Sequence, residues 1–558
     1  LEADSIVICS FGDASANHST ALSAFNTASW VTNVGGHVPI IFICEDNGKG
    51  ISVPTDDHWI QSNFSMRPGL DYIQTDGLHL IDLIIKSRRA EHDCRINRSP
   101  IFLHMKTVRL MGHAGSDVEV GYISIPDIEA AEFNDPLLHS ARILIENQCL
   151  SSHDIESIYE SARKQINHVF DAATTRPKLE TARGVMASIT ANNTIQKAPK
   201  IPSQKARKDL FGKEFDRMGQ PQHMAKLINY SLSDIMLQYS NTLIFGEDIA
   251  QKGGVYHVTA DLYKQYGVRR VFNSPLDETS IIGFGAGFGH NGFVPIPEIQ
   301  FLAYFHNAED QLRGELATLP FFSDGQFTNP MVLRVPGLAY QKGFGGHFHN
   351  DNSLTIFRDI PGIILAVPSN GADAVKMFRT AVKEAYENGR VVVFVEPIAL
   401  YMTKDLYEPK DGKWNFNYPE LKEEIPLGEF GLYGNGKSLT IITYGNGLYF
   451  SLQAQKEIEK KLKKKIKVID LRWLSEIDIP HLLKAIGTCN NVLIVDECRR
   501  TGCHGEGLFT QLVSQSKKPL NINLHAAEDS FISLGVAATA TLPSKESIIQ
   551  NALELMNG

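Results

Sequence analysis

Short runs rich in Val, Ile and Phe alternate with helical stretches along almost the whole chain, and that rhythm constrains the fold more than any other feature. Strands separated by helices build parallel sheets from βαβ units, because a parallel neighbour is reached only through a crossover. In the first third the strands are SIVICSF (5–11), PIIFICED (39–46) and PIFLHMK (100–106), with a small-residue helix from Ala14 to Asn33 between the first two. Residues 127–180 place apolar side chains at helical spacing. A second series of strands runs through TLIFGEDI, VFNSP, VPIPEIQF, MVLRV, IILAVP and VVVFVEP, and a third through LTIITYG, IKVIDLR and NVLIVDE. The polar, Pro-bearing stretch from Thr190 to Gln220 reads as an interdomain linker, and YEPKDGKWNFNYPELKEE as a second, linker-like break. The expected organisation is therefore 1–182, a linker at 183–219, then 220–405 and 406–558: three successive parallel α/β domains.

Composition narrows the function classes. A chain of 558 residues is long enough for several cores, and 43% hydrophobic with 21% charged residues is an ordinary globular balance. The net charge of -9 supplies no broad basic field for nucleic acid or an anionic membrane. Seven cysteines without a CxxC pair fit a reducing compartment and neither a disulfide framework nor a zinc ribbon. The most apolar stretch, Ile281 to Pro297, is interrupted by glycines, His290 and Asn291, so no transmembrane helix is expected. The opening LEADSIVICSFGD has no initiator Met and resembles neither a signal nor a transit peptide; it reads as a sequence that starts inside a domain. The lysine cluster from Lys460 to Lys467 reads as a solvated helix end.

Gly12-Asp13 closes the first strand and Asn47 follows the next one, both at the carboxyl edge where open α/β sheets bind ligands. A carboxylate and a carboxamide there are hard oxygen donors of the kind Mg²⁺ takes together with diphosphate oxygens. Taken alone, Asp13 equally serves as a helix cap and Asn47 as part of a turn with Gly48. The wider context decides. GDASAN (12–17) followed by IFICEDNGKGIS (41–52) resembles the thiamine diphosphate motif, and is most similar to the alpha subunit of the decarboxylating component of 2-oxo acid dehydrogenase complexes. Ala14 stands where some relatives have Gly, and VTNVGGHVP lengthens the spacing; neither touches a ligating position. The resemblance implies that Asp13 and Asn47 bind Mg²⁺ by side chain and Lys49 by its backbone carbonyl, with Gly12 and Asn17 beside the cofactor.

RLMGHAGSD (109–117) resembles the same subunit's loop bordering the diphosphate and the entrance of the lipoyl arm. It implies a cofactor and reductive-acylation role for His113. The family's regulatory phosphoserine falls at Ala114, so kinase control at that site is not expected. Further on, FGEDIAQKGG, VFNSPLDETS, PEIQFLAYFHNAEDQ and HNDNSLTIFRDIPGI line up in order with the beta subunit. The resemblance places Glu278, not its neighbour Asp277, at N1′ of the aminopyrimidine, where it favours the imino tautomer that deprotonates thiazolium C2. It places Tyr304 against the pyrimidine ring, Gln300 near the same face, and His349 at the 2-oxo acid; His347, two residues earlier, is a decoy. An HxH pair without a third ligand is a poor zinc site. The glycine run Gly283 to Gly289 lacks dinucleotide-binding spacing and reads as a close-packing surface at a subunit interface. VIDLRWLSEID and IVDECRRTGCHGEG resemble the family's C-terminal domain, expected to serve dimerisation and docking, with Asp496-Glu497 in place of the usual histidine-glutamate.

The resemblance thus implies an α/β chain with a thiamin diphosphate-binding fold of two parallel-sheet domains plus a transketolase C-terminal-like domain. It implies an enzyme with alpha and beta parts fused, binding thiamine diphosphate and Mg²⁺. Its reaction is oxidative decarboxylation of a 2-oxo acid, of branched-chain or pyruvate type, with transfer of the acyl group to a lipoyl-bearing acyltransferase. A homodimer equivalent to an alpha-two-beta-two assembly follows, located in the cytoplasm or, in a eukaryote, the mitochondrial matrix. A transketolase or deoxyxylulose-phosphate synthase shares the domain order, and a non-catalytic paralogue is the third reading; EIQFLAY and the GHAGSD loop favour the dehydrogenase.

Overall fold

The computed structural model describes residues 4–190, 196–343 and 345–557. The chain forms two compact units, 1–179 and 180–558. In the first, four parallel strands lie in the order Val7–Gly12, Ile40–Asp46, Ile101–Lys106, Asp71–Asp76. The first three match expectation. Asp71–Asp76 escaped it because Asp71, Gln74, Thr75 and Asp76 leave this edge strand without an apolar run. The expected helix from Ala14 splits into a 3₁₀ turn, Asp13–Asn17, and an α-helix, Ser19–Asn33. Phe25 of that helix meets Phe42, Phe64 and Phe102 edge-to-face, and Phe64 stacks on Phe102. The helices Ile125–Phe133, Pro136–Glu146 and Ser152–Thr174 follow, and Ile158, Ile166, Val169 and Phe170 on the last are exposed.

The second unit holds two sheets. One has six parallel strands in the order Ile364–Ala366, Val391–Pro397, Met331–Gly337, Val294–Glu298, Thr242–Gly246, Val271–Asn273. The other orders Gly431–Tyr433, Lys467–Asp470, Thr440–Thr443, Asn491–Arg499 and Asn521–Ala527, with only the first strand antiparallel. A single apolar cluster, from Leu243 through Val393 to Ile494 and Leu512, is shared by both sheets. Register in the six-stranded sheet is pinned by Arg334, fully buried, which pairs with Glu396 at 2.7 Å and with Glu298 at 2.6 Å on the two neighbouring strands. Removing one partner would strand a buried charge.

The stretch at 183–219, read as an interdomain linker, has local structure of its own. It carries helices Ala182–Met186, Gln204–Phe211 and Glu214–Arg217, and Arg207 forks onto Asp234 at 2.7 and 2.8 Å while Phe211 is buried. Its polar composition hid this because the anchoring contacts are charged and aromatic; residues 191–195 of it lie outside the described residues. The break near 410 is likewise strapped down, by buried Trp414 and by Arg379, which donates to the carbonyls of Pro419, Glu420 and Glu423. In the glycine run, Gly285 and Gly289 let the helix Glu278–His290 close onto Met331 and Pro330 of this same chain, whereas Gly283 and Gly287 face open space.

Candidate functional site

Each unit gathers one set of the expected residues at the carboxyl edge of its sheet. In the first unit the register sets Gly12 opposite Glu45, which brings Asp13 and Asn47 to one edge. Asp13 is fully buried, and neither carboxylate oxygen has a hydrogen-bond partner among the described residues. A buried carboxylate without a donor is rare and costly, and beside the Asn47 carboxamide it makes the oxygen donor set that a hard cation takes. The Asn47 loop is drawn in by Asp46, whose Oδ1 accepts from Gly48 N at 3.1 Å and whose Oδ2 meets His104 Nε2 and Lys106 Nζ, each at 2.7 Å. Those partners hold the Asp46 carboxyl below its ordinary value even against burial. Asn47 Oδ1 in turn accepts from Lys49 N at 3.1 Å. Asn17, exposed, lines a cleft with Ala14, Gly50 and Trp59.

The loop bearing His113 is tied to this region by Arg109, which donates to the carbonyl of Ile51 at 2.6 Å and to the Tyr122 hydroxyl at 2.9 Å. His113 N donates to Asp117 Oδ2 at 2.7 Å, and the imidazole is exposed. Asp117 also accepts from Tyr122, which with the His113 amide keeps its carboxyl low.

In the second unit Glu278 opens the helix Glu278–His290. The capping role falls to Asp277, which accepts from Ser280 N at 3.2 Å and so leaves the Glu278 carboxylate to Asn307, whose Nδ2 donates to it at 2.9 Å. His349 Nε2 lies 3.2 Å from the Tyr304 hydroxyl, and Phe301 meets the imidazole edge-on at 4.4 Å between centroids. The Tyr304 phenol is pushed up by burial and by the charges of Glu247 and Glu278, and Tyr304 shares the 3₁₀ helix Leu302–Ala308 with Asn307, the partner of Glu278. His347 turns away toward Phe531, 5.3 Å between rings, so the two imidazoles have different surroundings. Gln300 is partly buried just beyond Val294–Glu298. Gly345 takes φ +75°, and a Cβ there would fall inside the His349 ring.

Glu247 and Asn307 are two members of this set that the motifs did not single out. Glu247 follows the strand Thr242–Gly246; burial first, and then the charge of Glu278, push its carboxyl up to about 7. The available signal was its place, an acid immediately after a parallel strand at the ligand-binding edge. Asp496 and Glu497, read as replacing partner-facing residues, are buried: Asp496 accepts from Tyr444 at 2.5 Å and Glu497 from Asn446 at 2.7 Å.

Parallel α/β domains with acids, an aromatic and a histidine gathered at the strand ends define the fold class of thiamin diphosphate-binding proteins. Residues 1–182 match the family model of the dehydrogenase E1 component, 220–403 that of the transketolase pyrimidine binding domain, and 430–530 that of the transketolase C-terminal domain. Subunit beta of the pyruvate dehydrogenase E1 component from Staphylococcus epidermidis is 30% identical over 336 residues, covering 59% of this chain and 97% of that protein. Its counterpart from Bacillus subtilis is 29% identical over 344 residues, 60% and 98% of the two chains. A split-gene transketolase, an inactive beta4 tetramer, matches 61% of this chain and 99% of its own at 17% identity, with a TM-score of 0.47. The chain belongs to the family of thiamine-diphosphate-dependent 2-oxo acid dehydrogenase E1 components, with alpha-like and beta-like parts in one polypeptide. No helix among the described residues is long and apolar enough to cross a membrane.

Proposed function

We propose that this chain decarboxylates a 2-oxo acid of branched-chain or pyruvate type and passes the acyl group to the lipoyl arm of an acyltransferase. The observation that carries this reading is the convergence of Glu278, Tyr304 and His349, Glu278 bonded to Asn307 on the helix that bears Tyr304 and Tyr304 bonded to His349, with Glu278 released from capping by Asp277. When bound, thiamine diphosphate supplies the electron sink that takes up the carbanion left by CO₂. Asp13 and Asn47, with the Lys49 carbonyl, are the residues we assign to a Mg²⁺–diphosphate pair; the unpartnered Asp13 oxygens support a cation there. Glu278 would hold a proton at the pyrimidine nitrogen, and Tyr304 would present its ring to the same heterocycle. His349, steadied by the Tyr304 hydroxyl, would give or take a proton at the substrate. His113, on an exposed loop, is assigned to the lipoyl sulfur, where an imidazole can serve as a proton donor.

Assembly as a homodimer is part of the same proposal, supported by the exposed apolar residues of the helix Ser152–Thr174. Reduction of an artificial electron acceptor, with pyruvate, 2-oxoisovalerate and 2-oxoglutarate and with and without thiamine diphosphate and Mg²⁺, tests it. Cofactor-dependent turnover that Glu278→Gln lowers by at least about 100-fold is expected. Silence toward all three acids, with sugar-phosphate donors turned over instead, would replace this reading by a transketolase-type one.

A further inference from the structure

The segment after the strand Met331–Gly337 carries His349, and residues of the C-terminal part of the chain hold it at both ends. At its start, Asn446 Nδ2 donates to the Leu338 carbonyl at 2.8 Å, and the same Asn446 donates from Nδ2 and N to the buried Glu497 carboxyl at 2.7 and 2.9 Å. At its end, the Glu497 carbonyl accepts from Asn352 Nδ2 at 2.6 Å. Between them Gly535 N donates to the Lys342 carbonyl at 2.6 Å, and the Tyr340 hydroxyl to that of Pro543 at 3.3 Å.

Arg499 completes this grip. The strand Asn491–Arg499 slips register against Asn521–Ala527 between Asp496 and Arg499, and a bulge of this kind re-aims the side chains that follow it. The guanidinium donates to Ser353 Oγ at 2.6 Å and to Asp351 Oδ1 at 3.3 Å, and stands 5.9 Å from the Phe531 ring centre. Asp351 is 8% exposed and Arg499 is partly buried, so salt screens the pair less than it would a surface pair. Asp351 and Ser353 lie two and four residues beyond His349.

We propose that Arg499 is a positioning residue for His349, acting through Asp351 and Ser353, so that the C-terminal domain sets the geometry of the site as well as docking partners. The proposal rests on the reading of His349 as the group that meets the substrate. A planar fork is what spans two acceptors on neighbouring turns of a loop; a lysine keeps the charge and loses the fork.

Arg499→Met is expected to lower kcat about tenfold while thiamine diphosphate affinity stays within about twofold, since small misplacements of a reacting group are costly. Arg499→Lys should fall between. In a His349→Ala background Arg499→Met should cost nothing more, because the group it places is gone. A readout that needs no turnover is the rate at which diethylpyrocarbonate modifies His349, followed by peptide mass spectrometry with His153 as the internal control. That rate should change at least about threefold in Arg499→Met, and Asp351→Asn should reproduce the change from the other end of the pair. An equal loss of kcat in both backgrounds, or unaltered His349 modification in both variants, overturns the proposal. If the wild-type chain turns over no 2-oxo acid, the functional reading fails by itself, and the labelling comparison still decides the positioning.

Discussion

The Tyr304 hydroxyl lies 3.2 Å from Nε2 of His349, joining a residue just past one strand to a residue on the loop after the next. The bond holds the Nε2 edge of the imidazole. Tyr304→Phe keeps the ring and removes the bond, whose net worth is about 0.5–1.5 kcal/mol. Turnover should fall by roughly 2–10-fold with thermal stability nearly unchanged, as steady-state kinetics beside a melting curve would show. A drop of cofactor affinity instead would mean that the phenol acts on the heterocycle.

Gly345 gives the sharpest steric prediction. Its φ of +75° disfavours any L side chain, and a Cβ would occupy the space of the His349 imidazole. Gly345→Ala is expected to cost about 1 kcal/mol or more of stability from backbone conformation alone. Its larger effect should be on kcat, through displacement of His349. Activity at the wild-type level would show that the loop re-forms around the methyl group.

Asp13 should behave as a site that waits for a cation. With both oxygens buried and without hydrogen-bond partners among the described residues, its charge destabilises the protein when no metal is present. Asp13→Asn is expected to stabilise the metal-free protein by about 1–3 kcal/mol. The same substitution should abolish the rise in melting temperature that Mg²⁺ with thiamine diphosphate produces in the wild type. Calorimetric scans of both proteins, with and without the pair, test both halves.

Glu247 supplies the pH signature. Its carboxyl is raised from 4.5 to about 7 by burial and by Glu278, so the folded state holds a proton that the unfolded state has released. The native chain then binds more protons than the unfolded one between those two values, and stability falls as pH rises through that window. Below about pH 4.5 the contribution is fully present; above about pH 7 it is gone. Glu247→Gln should flatten this part of the stability curve and raise the melting temperature at pH 8. An unchanged slope between pH 5 and 7 would sink the assignment.

Much of the architecture was legible because strands and helices write their periods locally. TLIFGEDI, MVLRV and VVVFVEP announce buried parallel strands by β-branched and aromatic runs. Asp71–Asp76 and Asn521–Ala527 did not, since each is an edge strand with one polar face. The helices within 183–219 were hidden for a different reason: Arg207 and Asp234 look solvent-facing in sequence, and only their pairing buries them.

By itself the sequence determined the order of strands and helices, the residues placed at each strand's carboxyl end, and the motifs that mark Asp13, Asn47, Glu278 and His349. These follow from local periodicity and from residue types at fixed offsets. The tertiary structure alone decided that Asp277 caps the helix and frees Glu278, that Glu247 stands near enough to Glu278 to feel its charge, and that the Asp13 carboxylate is buried without a partner. It also decided that Arg499 reaches back 148 positions to Asp351. Such relationships arise from strand order, a register slip and burial, which join residues that no local pattern connects.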